Sequence, residues 1–401
     1  MKVNSSISSS EAAPLNGAES HTGNQGVVES VTNLEQALLL LDSDPSCNAD
    51  LKTLSDTVNN QRSALSLMSS RNAEVDIANS LQNAIDDYAY DLDALQGWTT
   101  GGVKMFSSAL KAMFESLISG GVNGIEREDI FQLALLEVMI NPDAYSLNSW
   151  VENASNKTEI SHLLESLGSG SHGLHEPDYD TPEELAQRAS NLAKSLVDSA
   201  TIPTGSFLDR IVNSLELNTE SGRNELQAQI KDNYHRGEGW LIYEKNQVDG
   251  TTAATSISPL LRMFLLSEIL EKNPDITQGD LNLILKGSVS EIEEFLKKTF
   301  NITGTKDVLV NWLVSNTDWQ IQNHSNNNDT GGHGGQLDWT GSGLNIQDLV
   351  KLYSNFPPRV LSDEDIKEIN RIGDTVKMIQ QTLKYWIQIM RDERMAVARN
   401  I

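Results

Sequence analysis

The chain has 401 residues, with 30 Lys and Arg against 56 Asp and Glu, a formal net charge of -26 at pH 7. Such a field repels polyanions, which argues against nucleic acid and anionic lipid as partners. Hydrophobic residues make up 38% and aromatics 6%, so the composition predicts an elongated or partly unstructured chain around a modest core. Cys47 is the single cysteine. An intramolecular disulfide framework is therefore excluded, and Cys47 reads as a small half-buried side chain.

Residues 1–30, opening "MKVNSSISSS", are polar and serine-rich, and carry no apolar segment of the kind a cleaved signal peptide needs. They predict an unstructured stretch, either a plain tail or an uncleaved secretion leader. Residues 31–70 carry two helical patterns. Residues 71–97 hold the most regular stripe of the first half, Ala78, Leu81, Ile85, Tyr88, Leu92 and Leu95 at alternating spacings of three and four, which is a heptad seam. It stops at "GWTTGG", a helix-ending signal.

Residues 98–358 predict a large, mostly helical segment of short amphipathic helices. Expected helices include Val103–Ser119, Arg127–Asn141, Ala144–Ala154 and Thr158–Leu167, then one starting at Pro182 behind a capping Thr181. "GWLIYEKNQV" is the one strand-like stretch. The polar residues 316–343 exceed ordinary loop length and predict a mobile or functional loop. The longest apolar runs, "ALLLL", "LALLEVMI" and "MFLLSEIL", fall well short of the ~20 residues a membrane-spanning helix needs.

Residues 359–401 form the last element. Ser362 caps it and three acids follow in its first turn. Ile369, Ile372, Val376, Ile379, Leu383, Trp386 and Met390 repeat at three and four, and Val397 keeps the register after one break at Glu393. From Asp363 to Asn400 such a helix spans about 57 Å, and its seam needs a partner along most of that length. The expected partner is the stripe Ala78–Leu95. Arg391, Arg394 and Arg399 at its end complement the helix dipole and offer an assembly surface toward an acidic neighbour.

Searches for catalytic and metal chemistry find no motif. "GSGSHG" lacks the spacing of a nucleophile elbow, "GTK" lacks the upstream glycine of a P-loop, and Pro177 follows His175-Glu176 where a zinc helix would continue. His162, His172, His175, Glu176, Asp178 and Asp180, and His324, Asp329, His333 and Asp338, lie in polar stretches without zinc-ligand spacing. An EF-hand alignment on Gly124 puts Ile130 where the bidentate acid belongs. No enzyme, cofactor or metal is expected.

This layout resembles the hydrophilic translocator, or needle-tip, proteins of type III secretion systems, the V-antigen-like family. The matching elements are the polar leader, the N-terminal helical segment, the two heptad helices Ala78–Leu95 and Ile369–Val397, and the insert Gly97–Pro358. The insert is larger and more helical than is usual there, which would suit a divergent, VopW-type member. The resemblance implies an all-α fold in which a long intramolecular coiled coil carries an inserted domain. It implies secretion without a cleaved signal peptide and homo-oligomerisation on the needle. It also implies contacts with the needle subunit and the hydrophobic translocators, and a dedicated chaperone. Two other readings fit an all-helical acidic chain: a secretion gatekeeper that binds chaperones, and an injected effector of unrecognised activity.

Overall fold

The computed structural model describes residues 20–42, 50–68, 73–170, 181–236, 238–241, 252–321, 337–340 and 344–399. The fold is all-α, with sixteen helices and two small pairs of strands among these residues. The chain divides into two compact units, Met1–Leu92 with Lys367–Ile401, and Asp93–Ile366.

The first unit contains α1 (Ser20–Leu40), α2 (Leu51–Ser66), most of α3 (Ala73–Thr100) and most of α16 (Asp363–Arg399). Helix α1 begins inside the stretch read as leader. Its buried Leu34 and Ala37, with Leu41 just past its end, supply the tertiary packing from which a helix propagates backward into a poorly helical sequence. Asp50 caps α2 by accepting from Thr53 N at 2.7 Å.

The second unit is built around α5 (Glu126–Ile140), which is buried on every side from Glu128 to Ile140. A helix apolar along one stripe would sit at a surface, whereas "IFQLALLEVMI" is apolar nearly all round and belongs at a centre. Helices α4 (Gly102–Ser119), α7 (Ala154–Ser166), α9 (Phe207–Leu215), α10 (Glu220–Arg236) and α11 (Pro259–Lys272) pack around it. Helix α8 (Pro182–Ser199) lies on α10 and α7, with Thr181 and Pro182 at its start as the sequence predicts. The expected helix Ala144–Ala154 is instead a 3-10 turn, Pro142–Tyr145, followed by α6 (Asn148–Glu152). Ser146 takes a left-handed conformation, φ 58°, which no α-helix interior accommodates.

Helices α12 (Gln278–Lys286) and α13 (Val289–Phe300) both open with reciprocal capping boxes, Thr277 with Asp280 and Ser288 with Glu291. Helices α14 (Val308–Asn316) and α15 (Ile346–Ser354) complete the unit. The strand-like stretch is represented by β1 (Glu238–Trp240), paired in parallel with β2 (Thr252–Ala253). Residues 242–251 lie outside the described part.

The polar loop 316–343 is structured at its two ends. There β3 (Trp319–Ile321) and β4 (Leu337–Trp339) pair antiparallel, with Trp319 opposite Trp339. Their rings meet edge to face at 5.2 Å, and Phe264 of α11 stacks within 4.9 Å of Trp339. Buried Glu165 on α7 anchors the backbone at the end of β4 and at the approach to α15, accepting from Trp339 N at 2.8 Å and Leu344 N at 2.7 Å. These two tryptophans look like ordinary polar-loop residues in the sequence. Only their cross-strand pairing makes them core.

Candidate functional site

Within the first unit, α16 buries Ile369, Ile372, Val376, Ile379, Leu383 and Met390, as their spacing predicts. Trp386 is half-buried, and Ile387 takes the seam position with no exposure. The buried order Ile379, Leu383, Ile387, Met390 is thus an eleven-residue 4-4-3 step. An almost straight helix of 3.6 residues per turn drifts off a strict seven-residue repeat and follows such a step more closely. Val397 stands on the same extrapolated seam but is exposed.

Two buried glutamines show what covers this seam. Gln61 of α2 donates from Nε2 to Val376 O at 2.8 Å, and Gln380 donates from Nε2 to Leu41 O at 2.7 Å. The N-terminal hairpin α1–α2 therefore lies on α16. On α3, Ile85 and Leu92 are buried, and Leu81 and Tyr88 half-buried. The Ala78 side chain lies outside the described residues. Asp91 of α3 is within electrostatic reach of Arg371 on α16. The stripe is accordingly covered in a unit that includes α1, α2 and α3, and not by one partner helix.

The opposite face of α16 carries a second apolar pair. Met378 and Tyr385, seven residues apart, are exposed, with Trp386 beside Tyr385 at a ring distance of 6.1 Å. The basic end lies just beyond. Arg391 is bonded to Asp392 at 2.9 Å and half-buried with Arg394, whereas Arg399 is exposed.

In the second unit, one buried cation joins the two ends of the insert. Arg359 N donates to Trp98 O at 2.6 Å, and Gly102 N to Phe356 O at 2.7 Å. Gly101 makes the approach possible: its φ is +71°, and a Cβ there would stand 2.7 Å from Phe356 O. The Arg359 guanidinium has no exposed surface. It pairs with Asp365 at 2.8 Å and donates to Ile276 O and Gln278 Oε1, while its carbon lies 5.5 Å from the Trp98 ring centre. Burial opposes ionisation of Asp365, but bonds from Arg359 and Ser362 outweigh it and hold the carboxyl below its ordinary value. Ser362 and Asp365 also form the capping box that starts α16. Leu95, the last residue of the first stripe, is buried just before this junction.

Other buried polar groups join helices to one another. Gln132 of α5 donates to Leu164 O and Leu167 O and accepts from Leu260 N, bridging the end of α7 to the start of α11. Glu137 accepts from Tyr145 Oη at 2.7 Å, and burial raises its carboxyl above the usual range. Sequence reasoning missed Gln61, Gln380, Arg359, Glu128, Asp129 and Arg262. The one available signal was Gln380 beside the apolar stripe, where a polar residue often sets register.

Among the described residues no group of three or more His, Cys, Asp and Glu could hold a metal ion. His172 to Asp180 and His324 to His333 lie outside them. No described helix is long and apolar enough to cross a membrane. No protein family, curated protein or solved structure matches the chain.

Proposed function

We propose that this chain is a non-catalytic assembly protein of a type III secretion system, of the hydrophilic translocator or needle-tip kind. The observation that carries the reading is the closure of the insert. Arg359 N bonds Trp98 O, so the long segment between them enters and leaves at one place, as a domain hung between two helices must. The all-α architecture and the exposed Met378–Tyr385 face of α16 support it further. That face, with the arginines beyond it, is suited to neighbouring copies of an acidic chain and to the needle subunit. The remaining partners in this reading are the hydrophobic translocators and a dedicated chaperone. The protein would reach the bacterial surface through the secretion apparatus, without a cleaved signal peptide and without a cofactor.

The double variant Met378→Asp/Tyr385→Asp tests it. Because both side chains are exposed, the melting temperature should stay within a few degrees of wild type. Self-association by sedimentation and delivery of effectors into host cells should both be lost, while secretion of the chain itself continues. Normal delivery by a well-folded double variant would overturn the assembly role of this face. Loss of secretion order with delivery intact would point to the gatekeeper reading instead.

A further inference from the structure

Helix α5 opens with two carboxyl groups inside the core. Glu128 and Asp129 are 0% and 2% exposed, and both reach the Gly168–Ser169 turn that follows α7. Glu128 Oε2 accepts from Gly168 N at 3.2 Å. Asp129 accepts from Ser169 N at 2.8 Å and from Ser169 Oγ at 2.7 Å. The turn requires glycine: Gly168 has φ +91°, and a Cβ there would stand 2.7 Å from Asp129 Oδ1.

The charged surroundings are few. Arg262 of α11 faces Asp129 across a cavity of about 50 Å³ that Lys286 of α12 and Ser116 of α4 also line. The guanidinium gives its hydrogen bonds to neutral groups, Ile257 O, Ile284 O, Gly287 O and Ser256 Oγ. Helix α10 offers the side-chain amides of Gln229 and Asn233 to Glu128. On α5 itself Glu126 acts on Asp129, and Arg127 is engaged by Glu225 of α10 at 2.7 Å.

Two buried carboxyls thus lie side by side, and it is Asp129 that faces the buried guanidinium. One carboxylate is balanced, and a second would be an uncompensated interior charge, which proteins avoid by keeping the proton. Asp129 is the one equipped to ionise, with two donors from Ser169 and Arg262 opposite. Glu128 takes its donors from Gly168 N and the α10 amides of Gln229 and Asn233, none of them charged, and its Oε1 closes no hydrogen bond.

We propose that Glu128 keeps its proton at neutral pH and acts as a latch: the neutral acid closes the Gly168–Ser169 turn onto α5 and α10, and release of the proton to solvent at higher pH loosens it. Burial pushes the Glu128 carboxyl up to about 8, helped by the Asp129 charge and opposed by the Gly168 bond and the Gln229 and Asn233 amides. Burial likewise raises Asp129 to about 6, against the Ser169 bonds and Arg262. The closed state therefore binds a proton that the opened state has already lost at an ordinary carboxyl value. The stabilisation is complete below that value and is lost as pH rises through about 8.

The test is a carbon-13 titration of the glutamate carboxyls in the full chain from pH 5 to 9, with hydrogen exchange at Gly168 and Ser169. One glutamate should titrate near pH 8 and be absent in Glu128→Gln. Exchange of the two amides, corrected for intrinsic rate, should rise about tenfold between pH 7 and 9 in wild type, since the opened state sheds the held proton. It should stay flat in Glu128→Gln, which imitates the neutral acid. Absence of any glutamate titrating above pH 7, or the same exchange rise in the variant, would overturn the latch. Should the variant misfold, the wild-type titration and the midpoint of its amide exchange still decide, because they must coincide.

Discussion

The two units bury their helices by different means. In the first, long helices carry continuous apolar stripes, and the buried amides of Gln61 and Gln380 bridge α16 to the N-terminal hairpin. In the second, short capped helices meet at their ends, and buried charged groups fill the joints: Arg359 with Asp365, Arg262 facing Asp129, and Glu165 holding the β4 backbone. A long stripe satisfies its backbone internally along its length. Every helix leaves four N–H groups unpaired in its first turn and four C=O groups in its last, so many short helices have many ends, and each end buried needs a partner. The more fragmented the helices, the more polar side chains the core must admit.

Removing a joint in the second unit should have the largest effect. Arg359→Ala leaves the Asp365 carboxylate buried without its cation and strips donors from Ile276 O and Gln278 Oε1. The expected loss is about 3–5 kcal/mol, read from the urea transition of the full chain. A loss near 1 kcal/mol would mean that the ion pair is dispensable and that apolar packing holds the junction.

The first unit should respond to position along its stripe. Leu383→Ala, at no exposure, should cost about 2–5 kcal/mol, whereas Val397→Ala, half exposed, should stay within about 0.5 kcal/mol. Trp386 is the only tryptophan in the sequence of this unit, so a fluorescence transition in a background with the other tryptophans replaced by phenylalanine reports it. Equal effects at the two sites would show that the stripe is buried to its end, against the observed exposure of Val397.

The smallest expected effect falls on the amide bridges. Gln61→Leu removes the bond to Val376 O but also a buried Oε1 that has no partner. Opposing terms of similar size leave a change within about 1 kcal/mol. A larger loss would assign the amide a part in setting the register of α16 on the hairpin, as buried polar residues do in coiled coils.

Much of the fold was legible in the residues. The expected helices Val103–Ser119 and Arg127–Asn141 come within one residue of α4 and α5 at each end, Thr181 and Ser362 cap as read, and six of the seam positions on α16 are buried. The candidate surface was legible only in part. The spacing named the helix, but Trp386 and Ile387 exchange roles, because the choice between neighbours depends on where the covering helices lie. The coverage by α1–α2 was not foreseen either, since period and polarity mark a face without naming its partner.

The sequence by itself determined the all-α class, the long terminal helix and the large insert between two stripes. Helix period, caps and turn residues act within a few positions of one another, so they are written locally. The tertiary structure alone decided the partners of the seam, the pairing of Trp319 with Trp339, and the conversion of Glu128, Asp129 and Arg359 into interior groups. Those outcomes depend on burial and on charges brought together from distant positions, and a carboxylate at a helix start looks the same in sequence whether water or another helix will cover it.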